Sequence, residues 1–122
     1  MGWEIHPEGL GRFLRRIRDE YSVDLPIYVT ENGMANPDTI SDGMVEDTAR
    51  IDYIDAHLSE VRGAIAEGVP VKGYFVWSLM DNYEWSLGYE KRFGLVHVDF
   101  ETLKRTPKAS YHALAGMLGS QE

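Results

Sequence analysis

The sequence predicts an α/β fold of parallel βα units, cut from something larger, and three observations carry that reading. Residues 25–30 and 71–77 are short, almost wholly apolar runs, as expected of strands buried on both faces in a parallel sheet. Helix-period segments alternate with them, which calls for crossover connections between parallel strands. Two such strands do not make a satisfactory sheet, because each exposes an edge. A (β/α)8 barrel needs about 250 residues, so a chain of 122 residues supplies only the end of one.

Each element has its own signal. Pro7 suits a first helical turn, and Leu10, Phe13, Leu14, Ile17 and Tyr21 follow at helical spacing. They predict an amphipathic helix over 8–21, with Arg12, Arg15, Arg16 and Arg18 mostly toward water. The strand 25–30 comes next. Residues 31–43 then hold Asn32-Gly33, Asn36-Pro37-Asp38 and Asp42-Gly43, all turn or loop signals. A second helix is expected over 45–67: Ile54, Leu58, Val61 and Ile65 line one face, and Gly68 with Pro70 ends it. Beyond the strand 71–77, residues 78–92 are aromatic and polar without a period. Residues 95–98 read as a short strand returning through 101–105 as a hairpin. The last helix, 108–118, turns Tyr111, Leu114 and Leu118 inward. No repeat, low-complexity tract or linker intervenes, so 1–122 reads as one portion of a domain with no internal boundary.

Composition narrows the function classes. Twenty acidic residues against twelve basic ones give a charge of −8. That surface repels phosphate backbones and anionic lipid, so neither nucleic acid nor membrane is an expected partner. No apolar run approaches the roughly 18 residues of a membrane span, and no signal peptide opens the chain. Cysteine is absent, which excludes disulfides, thiolate zinc sites and a cysteine nucleophile, and fits a reducing, cytoplasmic setting. His6, His57, His97 and His112 lack metal-ligand spacing, and no Gly-rich phosphate loop follows a strand. Neither metal nor cofactor is expected.

In βα architectures the chemistry sits past the C-terminal ends of strands. Two segments qualify: Thr30-Glu31-Asn32-Gly33, and the run from Trp77 to Trp85 that includes Asp81 and Glu84. Carboxylates beside flat aromatic faces suit carbohydrate, whose C–H face packs on a ring and whose hydroxyls bond to the acid. Each residue also has a plainer role open to it. Asn32-Gly33 suits an ordinary turn, Trp77 a core position, and Asp81 and Glu84 solvated loop acids.

Ile27-Tyr28-Val29-Thr30-Glu31-Asn32-Gly33 resembles the signature of glycoside hydrolase family 1, the retaining β-glucosidase family, whose nucleophilic glutamate lies in a strand-ending T-E-N-G. The surrounding order agrees. Gly2-Trp3-Glu4-Ile5 and Pro7-Glu8-Gly9-Leu10 precede it, and Arg50-Ile51 and His57-Leu58 lie on the next helix. Gly73-Tyr74-Phe75-Val76-Trp77-Ser78-Leu79-Met80-Asp81-Asn82, Glu84-Trp85 and Arg92-Phe93-Gly94-Leu95 complete it. The resemblance implies strands seven and eight of the (β/α)8 TIM barrel with their flanking helices, a C-terminal fragment.

By the same resemblance Glu31 matches the nucleophile, Trp77 the platform under the sugar, Glu84 the carboxylate that binds two hydroxyls, Trp85 an indole donor and Phe93 an aromatic wall. The implied substrate is a terminal, unphosphorylated β-D-glucoside or short β-linked oligosaccharide. Family members acting on 6-phosphorylated sugars replace the Glu-Trp pair; here Lys91 stands at a plausible phosphate-binding position, but Glu84 would repel a phosphate and residue 93 is Phe rather than Tyr. The family's second glutamate, in an N-E-P motif, has no counterpart in 1–122, and its earlier sugar ligands are missing too. Three readings follow: a fragment that is catalytic only with the N-terminal part of its barrel, a weak sugar-binding module, or a chain whose exposed strand edges drive self-association.

Overall fold

A computed structural model describes residues 2–21 and 25–119. Helix α1 (Pro7–Tyr21) leads to strand β1 (Ile27–Asn32), helix α2 (Thr48–Ala66) and strand β2 (Val71–Val76). A single 3-10 turn (Trp85–Leu87), strands β3 (Val96–Val98) and β4 (Arg105–Pro107), and helix α3 (Ala109–Gly119) complete the order. β1 and β2 pair in parallel across the α2 crossover, and β3 and β4 form an antiparallel hairpin. After β2 the chain runs on beside 93–96: Ser78 N donates to Phe93 O at 3.1 Å and Val96 N to Leu79 O at 2.9 Å. This stitching joins the two small sheets.

The buried core lies between the sheet and the first two helices. Leu14, Val61, Ala64, Val69 and Val71 form it, with Leu10, Ile27, Val29 and Tyr74 packed against them. α1 and α2 are latched at one end by charge. Arg15 gives Glu67 a two-pronged bond at 2.6 and 2.7 Å, and Arg18 donates to the Glu67 carbonyl at 2.6 Å. Two of the arginines expected to face water therefore tie helix to helix. Gly68, in the left-handed region at φ 89°, ends α2 as its position before Pro70 predicts.

Several boundaries differ from the sequence expectation, each for a local reason. β1 spans 27–32 rather than 25–30. Pro26 has no N–H to offer a ladder, while at the far end Trp77 N donates to Asn32 O at 2.9 Å and prolongs the strand. α2 begins at Thr48, because the preceding residues dock elsewhere: the Val45 carbonyl accepts from Ala109 N at 3.0 Å. The return strand is 105–107 rather than 101–105. Asp99 Oδ1 accepts from Glu101 N and Thr102 N at 2.9 and 3.1 Å, so those residues belong to the turn.

The largest difference concerns apolar faces. Of α3's expected inward residues, Leu118 is 70 % exposed and Tyr111 37 %. α3 is anchored instead through Ser110, whose N–H and hydroxyl both donate to Asp47. Leu114 and Leu118 border an open apolar groove of about 430 Å³ with Leu58, Phe75, Leu79 and Leu95. Phe13 and Tyr21 on α1 and Ile65 on α2 are likewise exposed. These side chains face the directions their periodicity implies, and no described residue covers them.

Candidate active site

The register of the parallel pair places Glu31. Val29 pairs with Tyr74 but Asn32 pairs with Val76, so β1 carries one extra residue between these two ties. Such a bulge disrupts side-chain alternation and re-aims what it carries. Thr30 and Glu31 are accordingly both exposed, whereas residues 27–30 alternate. Glu31 thus lies within the strand's last turn of pleat rather than beyond its end.

Asn32 and Gly33 follow as packing residues, not as a turn. Asn32 Oδ1 accepts from the Tyr74 hydroxyl at 2.6 Å. A Cβ on Gly33 would lie 1.8 Å from the Trp77 carbonyl oxygen, so only glycine lets the two strand ends approach this closely. The Trp77–Ser78 peptide is cis.

A cleft of about 390 Å³ opens here, lined by Trp3, Glu31, Asn32, Gly33, Tyr53, Trp77, Glu84, Trp85 and Phe93. All five site residues singled out in the sequence border it. Glu31 comes from β1, Trp77 from the end of β2, Glu84 and Trp85 from the following loop, and Phe93 from the segment bonded to Ser78. Trp77 is partly exposed, Phe93 is buried and Trp85 is 82 % exposed. Trp85 has φ 43°, a left-handed conformation that a bulky side chain adopts only when its surroundings impose it. Trp3 and Tyr53 also line the cleft without having been singled out. Tyr53 sits on α2 and stacks on His57 with ring centroids 4.0 Å apart. Burial pushes its phenol above the ordinary value, while bonding with Asn32 acts the other way.

Behind the cleft lies a buried charge cluster that the sequence reading did not find. Lys108 Nζ donates to Asp38 at 2.5 Å and to Asp81 at 2.7 Å. Arg50 bonds Asp47 and, at 2.6 Å, Asp38, and it donates to the Arg92 carbonyl at 2.8 Å. Arg92 in turn donates to Asp81 at 2.7 Å and to Val98 O at 2.9 Å. Three carboxylates balance three cations, as burial of charge requires. Asp81 is therefore no solvated loop acid; it also accepts from Gly94 N at 3.0 Å and so holds the segment that presents Phe93. Burial raises the Asp81 carboxyl, but the bonds from Lys108 and Arg92 outweigh it and hold the group below its ordinary value. Burial, with Arg92 nearby, pushes His97 below its ordinary value. Among the described residues no three His, Asp or Glu side chains gather as a metal site requires, and no helix is long and apolar enough to cross a membrane.

Residues 1–121 match the profile of glycosyl hydrolase family 1. The chain belongs to this family. It is 55 % identical over 111 residues to beta-glucosidase A of Thermotoga maritima, covering 90 % of this chain and 25 % of that one. It is 54 % identical over 108 residues to a 6-phospho-beta-galactosidase of Streptococcus equi subsp. zooepidemicus, covering 88 % and 23 %. The solved family 1 β-glucosidase from Thermotoga maritima in complex with isofagomine lactam superposes with a TM-score of 0.95 at 50 % identity, over 98 % of this chain and 27 % of that one. The chain thus spans about a quarter of the length of its family 1 relatives. Its fold is the C-terminal portion of their (β/α)8 barrel, two strands with flanking helices, and its family is one of glycoside hydrolases.

Proposed function

We propose that, within a complete barrel, this chain supplies the nucleophile and part of the sugar-binding subsite of a retaining β-glycosidase acting on terminal, unphosphorylated β-D-glucosides. The convergence of Glu31, Trp77, Glu84, Trp85 and Phe93 on one cleft supports this reading. A Glu31 oxygen bonds to the anomeric carbon as the bond from that carbon to the aglycone oxygen breaks. The departing oxygen takes a proton from a carboxylic acid on the rest of the barrel, at about 5–5.5 Å from Glu31. Water then adds to the same carbon, the ester bond to Glu31 breaks, and the water's proton returns to that partner. Two inversions leave configuration retained. Trp77 offers a face to the sugar's C–H surface, and Glu84 accepts from its hydroxyls. The chemistry calls on no cofactor.

The relative named a 6-phospho-beta-galactosidase raises a second substrate class. Glu84 in the cleft argues against it, since a carboxylate and a phosphate repel each other where water is displaced. Two measurements test the reading in the full-length barrel containing this chain. Glu31→Ala should abolish turnover of an aryl β-glucoside, and azide should restore it with the inverted glycosyl azide as product. Wild-type rates in Glu31→Ala would exclude Glu31 as nucleophile. The aryl β-glucoside should also turn over faster than its 6-phosphate, and the reverse order would assign the phosphorylated class. Residues 1–122 alone should show no turnover, because general-acid assistance worth about 10²- to 10⁴-fold comes from elsewhere.

A further inference from the structure

The bulge that aims Glu31 leaves it without support from the ladder. Neither Thr30 nor Glu31 has a paired partner in β2; the nearest ties are Val29 on one side and Asn32 on the other. Tyr74 reaches the tied residue on each side, although the backbone partner of Asn32 is Val76. Tyr74 pairs through its backbone with Val29, and its hydroxyl donates to Asn32 Oδ1 at 2.6 Å. Asn32 is also held through its backbone, by its pairing with Val76 and by Trp77 N at its carbonyl, 2.9 Å away. Tyr74 therefore spans the bulge, holding the strand before and after the two unpaired residues. Its ring packs against the buried core, which gives the strap a rigid base.

We propose that Tyr74 is a positioning residue for Glu31, acting through Asn32 to set the direction of the carboxylate. This rests on the reading of Glu31 as nucleophile. Burial pushes the Tyr74 phenol well above its ordinary value, so the hydroxyl remains a donor throughout the working pH range. Tyr74 is absent from the cleft lining, so its effect on catalysis must pass through Asn32. A misaimed nucleophile loses rate while the sugar's contacts with Trp77 and Glu84 persist, so kcat should fall and KM should not.

The test uses the full-length barrel containing this chain, with an aryl β-glucoside, and compares Tyr74→Phe, Asn32→Ala and the double variant. Tyr74→Phe should lower kcat by on the order of 10- to 100-fold, the scale of a misplaced reacting group, with KM within about twofold. In the Asn32→Ala background the same change should cause little further loss. A folded Tyr74→Phe with wild-type kcat overturns the proposal, as do fully additive losses in the double variant. A hydroxyl of merely structural importance would lower the thermal midpoint and leave kcat alone. Should Tyr74→Phe fail to fold, Asn32→Ala decides: wild-type kcat there overturns the proposal and a reduced kcat sustains it. Glu31→Ala, measured alongside with azide, separates the two ideas. If it keeps wild-type turnover, the nucleophile reading fails on its own account, whatever Tyr74 does.

Discussion

Gly33 has no room for a side chain, and what blocks it is backbone, since the Trp77 carbonyl cannot swing aside. Gly33→Ala should therefore part the two strand ends, lowering stability by about 1–3 kcal/mol and reducing kcat/KM, because Glu31 and Trp77 move with them. Urea unfolding and steady-state kinetics on the complete barrel would check this, and unchanged values for both would mean the approach is looser than described. At Glu84 the expectation is different. Glu84→Ala removes a charged acceptor from the cleft, worth about 1.5–3 kcal/mol per bond, so kcat/KM for a β-glucoside should fall while stability hardly changes. Motif position singled out Glu31, Trp77, Glu84, Trp85 and Phe93, which the fold gathers around one cleft. Trp3 and Tyr53 were not singled out, since each reaches the cleft from a distant segment and neither belongs to a strand end.

The element most altered by tertiary context is the loop after β2. In sequence, Asp81 is one acid among polar neighbours; in the fold it lies at the centre of a charge cluster that joins the loops after β1 and β2 to the starts of α2 and α3. Its partners Lys108 and Arg92 lie 27 and 11 residues away, beyond any periodic signal. Lys108→Met should cost about 3–5 kcal/mol, the penalty for leaving partners buried without their counter-charge. Acid should act on the same contacts. The Asp81 pKa is held lower in the folded than in the unfolded chain. Its contribution is thus complete above the unfolded value near pH 4 and disappears as pH falls toward the folded one. Denaturant unfolding between pH 7 and pH 3 should show this loss, and Asp81→Asn, less stable at neutral pH, should show a flatter acid limb. Equal slopes would place the acid sensitivity elsewhere. The β1 bulge was equally invisible beforehand, because the alternation of 27–30 gives no sign of the slip that follows.

At the scale of the whole molecule, the class of fold was legible because buried parallel strands read as short apolar runs, and residues 25–30 and 71–77 are such runs. What covers the groove between β2, α2 and α3 was not, since periodicity marks a face as apolar without naming its partner. With Leu118 and Phe75 exposed, the isolated chain should associate, and light scattering should fall when the remaining three-quarters of a family barrel is added. A monodisperse isolated chain, with Leu118→Glu and Phe75→Lys changing nothing, would show that the groove does not drive assembly.

Heat should treat the groove and the charge cluster differently. The free energy of hydrating ions becomes less favourable on warming, so the penalty for burying them shrinks, while apolar burial gains little more. Five buried charges and the partly buried Arg92 are thus relatively cheapest when the protein is hot. Replacing Asp38, Asp81, Arg92 and Lys108 together with apolar residues of similar size, which leaves the Asp47–Arg50 pair intact, should compare more favourably with the native four in the cold than near the melting temperature. The crossing point of the two stability curves would give the temperature above which ions make the better interior.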